Sequence, residues 1–242
     1  MKQILVLFGV LMLTFACQNK ETSETNLHIT GEIAGLKQGK LYIQKLEDTT
    51  LVVIDTLNFD GNSKFESHLK LDSPEVLYFF LDRGQTNSLD NNLTIFAEPG
   101  NLSIQTKLES FYADAVVKGS KNHELFQEFK AIMSRFKEPQ LTLIEKEIKA
   151  RKENNTILLD SINQATERLT KRKYLYCINY AIGKKDHEIA PYIALSEIYD
   201  AQIKYLDTIQ KSLTPKVAES KYGKMLKKFI EERRKDEQVP AE

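Results

Sequence analysis

The strongest constraint on the fold of this chain is a series of short alternating segments between Leu27 and Lys118, each closed by a turn signal. Leu27, Ile29 and Ile33 alternate with His28, Thr30 and Glu32, the two-residue period of a strand with one buried face. Gly35 to Gly39 is a turn, and Lys40 to Leu46 and Leu51 to Asn58 follow as strands. Asp60-Gly61-Asn62 carries residues that tolerate positive φ in a tight turn. Phe65, Ser67, Leu69 and Leu71 then alternate with Glu66, His68 and Lys70, and Asp72-Ser73-Pro74 breaks the chain. Val76 to Leu81 is apolar on both faces, which predicts the most central strand. After a polar loop, Leu93 to Ala97, Leu102 to Thr106 and Ala113 to Lys118 complete the series, with Pro99-Gly100-Asn101 between the first two. About eight short strands with frequent turns predict an antiparallel β-sandwich or open barrel.

From Ser120 onward the period changes to that of helices. Ser120 to Asn122 can cap a helix carrying Leu125, Phe129, Ile132 and Phe136 on one face, with Phe126 and Met133 beside them. Pro139 suits the first turn of a second helix with the stripe Leu141, Ile144 and Ile148. Asn154-Asn155 is a break. A long helix with Leu158, Ile162, Ala165, Leu169 and Tyr176 on its stripe then ends near Gly183, a candidate C′ glycine. Further helical segments follow Pro191 and Thr214-Pro215. The expected fold class is α+β, with β-rich residues 27–119, helical residues 120–235 and a charged tail over 236–242.

The first 26 residues read differently. Lys2 precedes a run from Ile4 to Ala16 that is almost wholly apolar, yet shorter than the roughly 20 residues a membrane helix needs. The run ends in Leu13-Thr14-Phe15-Ala16-Cys17, which resembles a bacterial lipobox, with Thr14 and Phe15 departing from the usual residues. The resemblance implies a signal peptide over residues 1–16, lipid attachment at Cys17 and a polar tether over residues 17–26. Several acyl chains on one residue anchor stably where a single chain is marginal. Gln18 after the cysteine is similar to lipoproteins sent to the outer membrane, facing the periplasm or the exterior. The alternative is cleavage by the general signal peptidase, leaving Cys17 as a free thiol.

Charge is balanced, with 34 basic and 34 acidic side chains, which argues against a nucleic-acid partner. The only cysteine besides Cys17 is Cys177, so an internal disulfide framework is not expected. Cys177 reads as a buried small hydrophobe more readily than as a reactive thiol, despite Lys171, Arg172 and Lys173 nearby. His28, His68, His123 and His187 lack metal-type spacing and read as surface residues, and Asp55 and Glu66 as solvent-facing. No catalytic constellation, metal site or cofactor motif is expected.

The ordered set Ile29-Thr30-Gly31-Glu32-Ile33-Ala34-Gly35-Leu36, Gly39-Lys40-Leu41-Tyr42-Ile43, Ile54-Asp55-Thr56, Lys64-Phe65-Glu66, Pro74-Glu75-Val76-Leu77-Tyr78, Phe96-Ala97-Glu98-Pro99-Gly100 and Val117-Lys118-Gly119-Ser120 resembles a known domain. It is the domain of unknown function at the N-terminus of many thiol:disulfide interchange lipoproteins of Gram-negative bacteria. Ser212-Leu213-Thr214-Pro215 and Ser220-Lys221-Tyr222-Gly223 resemble the helical connector of that family. The resemblance implies a β-rich, membrane-tethered module and transfers no catalytic residue. The sequence stops where the family's thioredoxin-like domain begins and contains no Cys-x-x-Cys, so the oxidoreductase activity is not expected here. The expectation is therefore a non-enzymatic envelope lipoprotein that binds or scaffolds a protein partner; the alternative is an accessory to a separate thioredoxin-like oxidoreductase. Thr49, Thr56, Ser161 and Thr208 each sit in a triplet resembling an O-glycosylation acceptor of exported proteins.

Overall fold

The computed structural model describes residues 25–84 and 89–238. Among these, all eight expected strands are present: β1 (Leu27–Ala34), β2 (Gln38–Glu47), β3 (Thr50–Asp60), β4 (Lys64–Leu69), β5 (Glu75–Asp82), β6 (Asn92–Ala97), β7 (Gly100–Lys107) and β8 (Val116–Lys118). They form two open sheets in the orders β4-β1-β7-β8 and β3-β2-β5-β6. The inward positions of both sheets make one core, including Ile29, Ile33, Leu41, Ile43, Leu77, Phe79, Ile95 and Leu102. One pairing departs from the antiparallel expectation: β1 and β7 run parallel, with Leu27 opposite Gly100. The short turn at Glu98-Pro99 carries the chain from one sheet to the other, so β7 enters beside β1 in the same direction. Asn26, just ahead of β1, is clamped to both neighbours. Its side chain donates to and accepts from Leu71, and its backbone bonds Leu69 and Gly100.

The two edge strands β3 and β4 approach each other across the sandwich. Between Ile43 and Gln44 the β2–β3 register shifts by one residue, and Ile54 has no partner. The bulge re-aims the following side chain. Asp55, expected to face solvent, is instead turned to β4, where the hydroxyl of buried Ser67 donates to its carboxylate.

The helices are α1 (Lys121–Met133), α2 (Lys137–Lys152), α3 (Thr156–Gly183), α4 (Ile189–Glu197), α5 (Ile203–Ser212), α6 (Pro215–Ala218) and α7 (Lys221–Gln238). Most of them pack around α4, whose Ile189, Ala190, Ile193 and Ala194 are all inaccessible to solvent. This second core also takes Val76 from β5 and Phe96 from β6. The two-sided apolar character of Val76 to Leu81 thus has two causes. Leu77, Phe79 and Leu81 fill the sandwich, while Val76 and Tyr78 face the helices.

Two helical expectations are corrected. Leu141, Ile144 and Ile148 do lie on one stripe of α2, but they are 60%, 44% and 51% exposed. The opposite face of α2, with Leu143 and fully buried Ala150, is the one turned to α3. Gly183 is the last residue of α3 rather than a left-handed C′ glycine. The chain leaves through Lys184 at φ −115°, whose N–H still bonds the carbonyls of Tyr180 and Ala181, so no left-handed residue is needed.

The junction of sheet and helices is a polar clasp around an aromatic pin. Phe96 is fully buried, edge-on to Tyr192, Tyr222 and Phe126 at centroid distances of 5.5, 5.8 and 6.3 Å. Its strand is a sheet edge, which leaves backbone groups needing partners. Ser120 Oγ donates to the Phe96 carbonyl at 2.6 Å, and the Phe96 N–H donates to His123 Nδ1 at 3.2 Å. Ser120 also caps α1 by accepting from the His123 N–H at 3.0 Å, as its position suggested. Glu98 accepts from the N–H groups of Lys121 and Asn122, and the Asn122 amide bridges Glu98 to Glu188, each at 2.8 Å. Gly119, at φ +99°, permits the turn into α1; any Cβ there would collide with the Asn101 carbonyl.

Candidate functional site

Where the helices lean away from the end of the second sheet, a cleft of about 840 Å³ opens. One wall is built from the end of β2 (Lys45, Glu47) and the segment entering β5 (Asp72, Ser73, Glu75). The other is α4 and α7, with Tyr192, Leu195, Tyr222 and Met225. Val76 lies just beyond the β2 ladder, and its N–H donates to the Tyr222 hydroxyl at 3.0 Å, tying α7 to the floor. Burial raises the Tyr222 and Tyr192 phenols well above their ordinary range, so both stay protonated.

The charged groups lining the cleft are largely paired with one another. Buried Glu75 takes the Lys221 ammonium, which also donates to the Leu46 carbonyl at 3.3 Å, while the Lys221 N–H donates to Ser73 Oγ at 3.1 Å. Lys45 and Glu47 pair at 2.9 Å; the hydrogen bond between them holds the Glu47 carboxyl below its usual range and raises Lys45. Lys224 reaches Glu219 at 3.5 Å. Such a cleft offers hydrogen-bonding groups and apolar wall, with its three lysines paired to acids and Asp48 and Asp72 leaving it net acidic.

The residues singled out from the sequence are distributed as follows. Cys17 lies outside the described residues. Cys177 is fully buried, its Sγ 3.9 Å from Met133 Sδ, and burial pushes its thiol up to about 12, so the packing role holds. Thr49, Thr56, Ser161 and Thr208 are all exposed, on a turn, on β3, on α3 and on α5. His123 is not a surface residue: it is 4% exposed and holds the Phe96 N–H. His28 and His68 do lie outward, but they are not isolated. The β1–β4 register sets them opposite each other, their rings stack at 4.4 Å, and both Nε2 atoms meet Glu66 Oε1, at 2.7 and 3.0 Å. This trio spans two strands, so no local spacing could show it. The sequence-level sign was only Glu66-x-His68 on the outward face of one strand and His28 on that of another. The cleft was equally hidden, because its walls come from segments more than a hundred residues apart.

Comparison with known proteins bears on the first half of the chain. Residues 27–126 match the family described as a domain of unknown function, DUF4369. The matched region contains β1 to β8 and the first turns of α1, including Ser120, Asn122 and His123, which fasten that helix to the Phe96 strand and the turn after it. Neither the curated proteins nor the solved structures yield a match.

Proposed function

We propose that the protein is a non-catalytic lipoprotein of the cell envelope, held at the outer membrane through lipid on Cys17, whose folded part binds or scaffolds another protein. The observation that carries the anchor is the apolar run ending in Ala16-Cys17 and followed by the polar segment to Asn26. The binding role is supported by the cleft beside α7, whose three lysines are each paired with an acid, whose lining is net acidic through Asp48 and Asp72, and whose walls are held by Glu75–Lys221 and Val76–Tyr222.

A second reading, an accessory to a separate thioredoxin-like oxidoreductase, is supported by the matched domain and the connector-like Ser212 to Pro215 and Ser220 to Gly223. In this reading partnership is by surface contact, since the Cys177 thiol is enclosed.

Two measurements on the full chain test these readings. Cys17→Ala should move the protein from the membrane to the soluble fraction. Retention of the variant in the membrane, together with no acyl label on the natural chain, refutes the anchor. A photo-crosslinking residue at the half-exposed Met225 in the cleft should give discrete adducts with envelope proteins in cells. No adduct at all overturns the binding role of the cleft, and adducts that include no oxidoreductase overturn the second reading.

A further inference from the structure

The outward face of the first sheet carries a convergence of donors unrelated to the cleft. Antiparallel pairing of β1 with β4 sets His28 opposite His68 and Thr30 opposite Glu66. Glu66 and His68, two residues apart, share the outer face of β4. The two imidazole planes lie within 3° of parallel, and each presents Nε2, rather than Nδ1, to the same carboxylate oxygen. One donor atom from each residue can be chosen so that all three lie within 4.8 Å of one another.

We propose that His28, Glu66 and His68 form a binding site for one borderline transition-metal ion of the Zn²⁺ type, clipping the edge strand β4 to β1. Two nitrogens and a carboxylate oxygen are the donor set of such ions, whereas Ca²⁺ and Mg²⁺ prefer oxygen alone. Zinc–nitrogen and zinc–oxygen bonds of about 2.0–2.2 Å place neighbouring donors of a tetrahedron about 3.3–3.6 Å apart. The observed N···O separations of 2.7 and 3.0 Å need to widen by less than about 1 Å, within reach of side-chain rotation on a fixed backbone. On coordination each imidazole binds through a deprotonated Nε2 and carries its proton on Nδ1, and any additional proton of an imidazolium passes to solvent. Three protein donors leave a position for water.

The backbone supports the arrangement. Ile29 and Ser67, the residues flanking the donors on β1 and β4, are buried, so neither strand can rotate its outer face without opening the core. The three donors are themselves at least partly exposed, so their replacement leaves that core untouched. The site is separate from both the anchor and the cleft, and its test does not depend on either.

The test uses the untagged full chain in mild detergent near pH 7.5, titrated with Zn²⁺ by calorimetry and with Cu²⁺ under electron paramagnetic resonance. The expected result is one equivalent of Zn²⁺ bound and a Cu²⁺ spectrum with hyperfine structure from two nitrogens. His28→Ala and His68→Ala should each weaken Zn²⁺ binding at least tenfold, Glu66→Gln should weaken it less, and the double histidine variant should lose the equivalent. Circular dichroism should show all variants folded. Zn²⁺ binding of unchanged stoichiometry and affinity in the folded double variant overturns the proposal, as does the absence of a bound equivalent in the natural chain at 100-fold excess of metal over protein.

Discussion

Phe96→Ala should lower the unfolding free energy by about 3–5 kcal/mol, the range for deleting a fully buried aromatic side chain. The expected cost lies at the top of that range for a local reason. Phe96 touches three aromatic rings from three different helices, so truncation opens a void bordered by α1, α4 and α7 that no single movement can close. The sandwich core loses nothing directly, because Phe96 points away from it. Urea unfolding followed by circular dichroism reads the effect. A loss under about 1 kcal/mol would show that the junction between sheet and helices does not depend on this ring.

The second large effect is a pH dependence centred on His123. Burial, with a contribution from the Lys130 charge, lowers its pKa from 6.5 to about 4. Between those values the unfolded chain binds a proton that the folded chain refuses, so stability rises with pH. His123 therefore contributes fully above about pH 6.5, and its contribution is lost as the pH falls toward 4. The loss amounts to about 3 kcal/mol at one pKa unit per 1.36 kcal/mol. The geometry explains the refusal. Nδ1 accepts from the Phe96 N–H, so the ring proton sits on Nε2; the Gln127 amide lies 3.0 Å away, its Nε2 facing the ring, and turning that amide over brings its oxygen to accept the proton. A proton on Nδ1 would break the hold on the Phe96 strand. Urea unfolding of the natural chain and of His123→Gln at pH 7.5 and 4.5 isolates the contribution of this ring. The natural chain should lose about 2.5 kcal/mol more than the variant, since pH 4.5 still lies above the folded value, and equal losses would refute the assignment.

These two residues also mark what could be read along the chain and what could not. The strands were legible because Leu27, Ile29 and Ile33, or Phe65, Ser67 and Leu69, announce an inner face locally. The double-sided character of Val76 to Leu81 was legible too, though not the reason for its outer face, since Val76 and Tyr78 join a core built mostly from helices far along the chain. Period alone says that a face is apolar, not that anything meets it, which is why Leu141, Ile144 and Ile148 read as core and lie in solvent. Asp55 was misread because a bulge changes the parity of a strand without a local signature. His28, Glu66 and His68 escaped because strand register, not spacing, joins them, and His123 because burial by a distant strand is invisible from its neighbours.

The parallel pairing of β1 with β7 has a mechanical consequence. β1 is the first strand of the domain and an interior strand of its sheet, bonded on one side to β4 and on the other to β7. A pull on the chain at Asn26, directed along β1, does not peel an edge one hydrogen bond at a time. It loads both ladders in shear together, with the clamp of Asn26 on Leu69, Leu71 and Gly100 taking the strain first. Were the chain held by its leading end, as proposed, the load would enter the part of its sheet that is hardest to unzip.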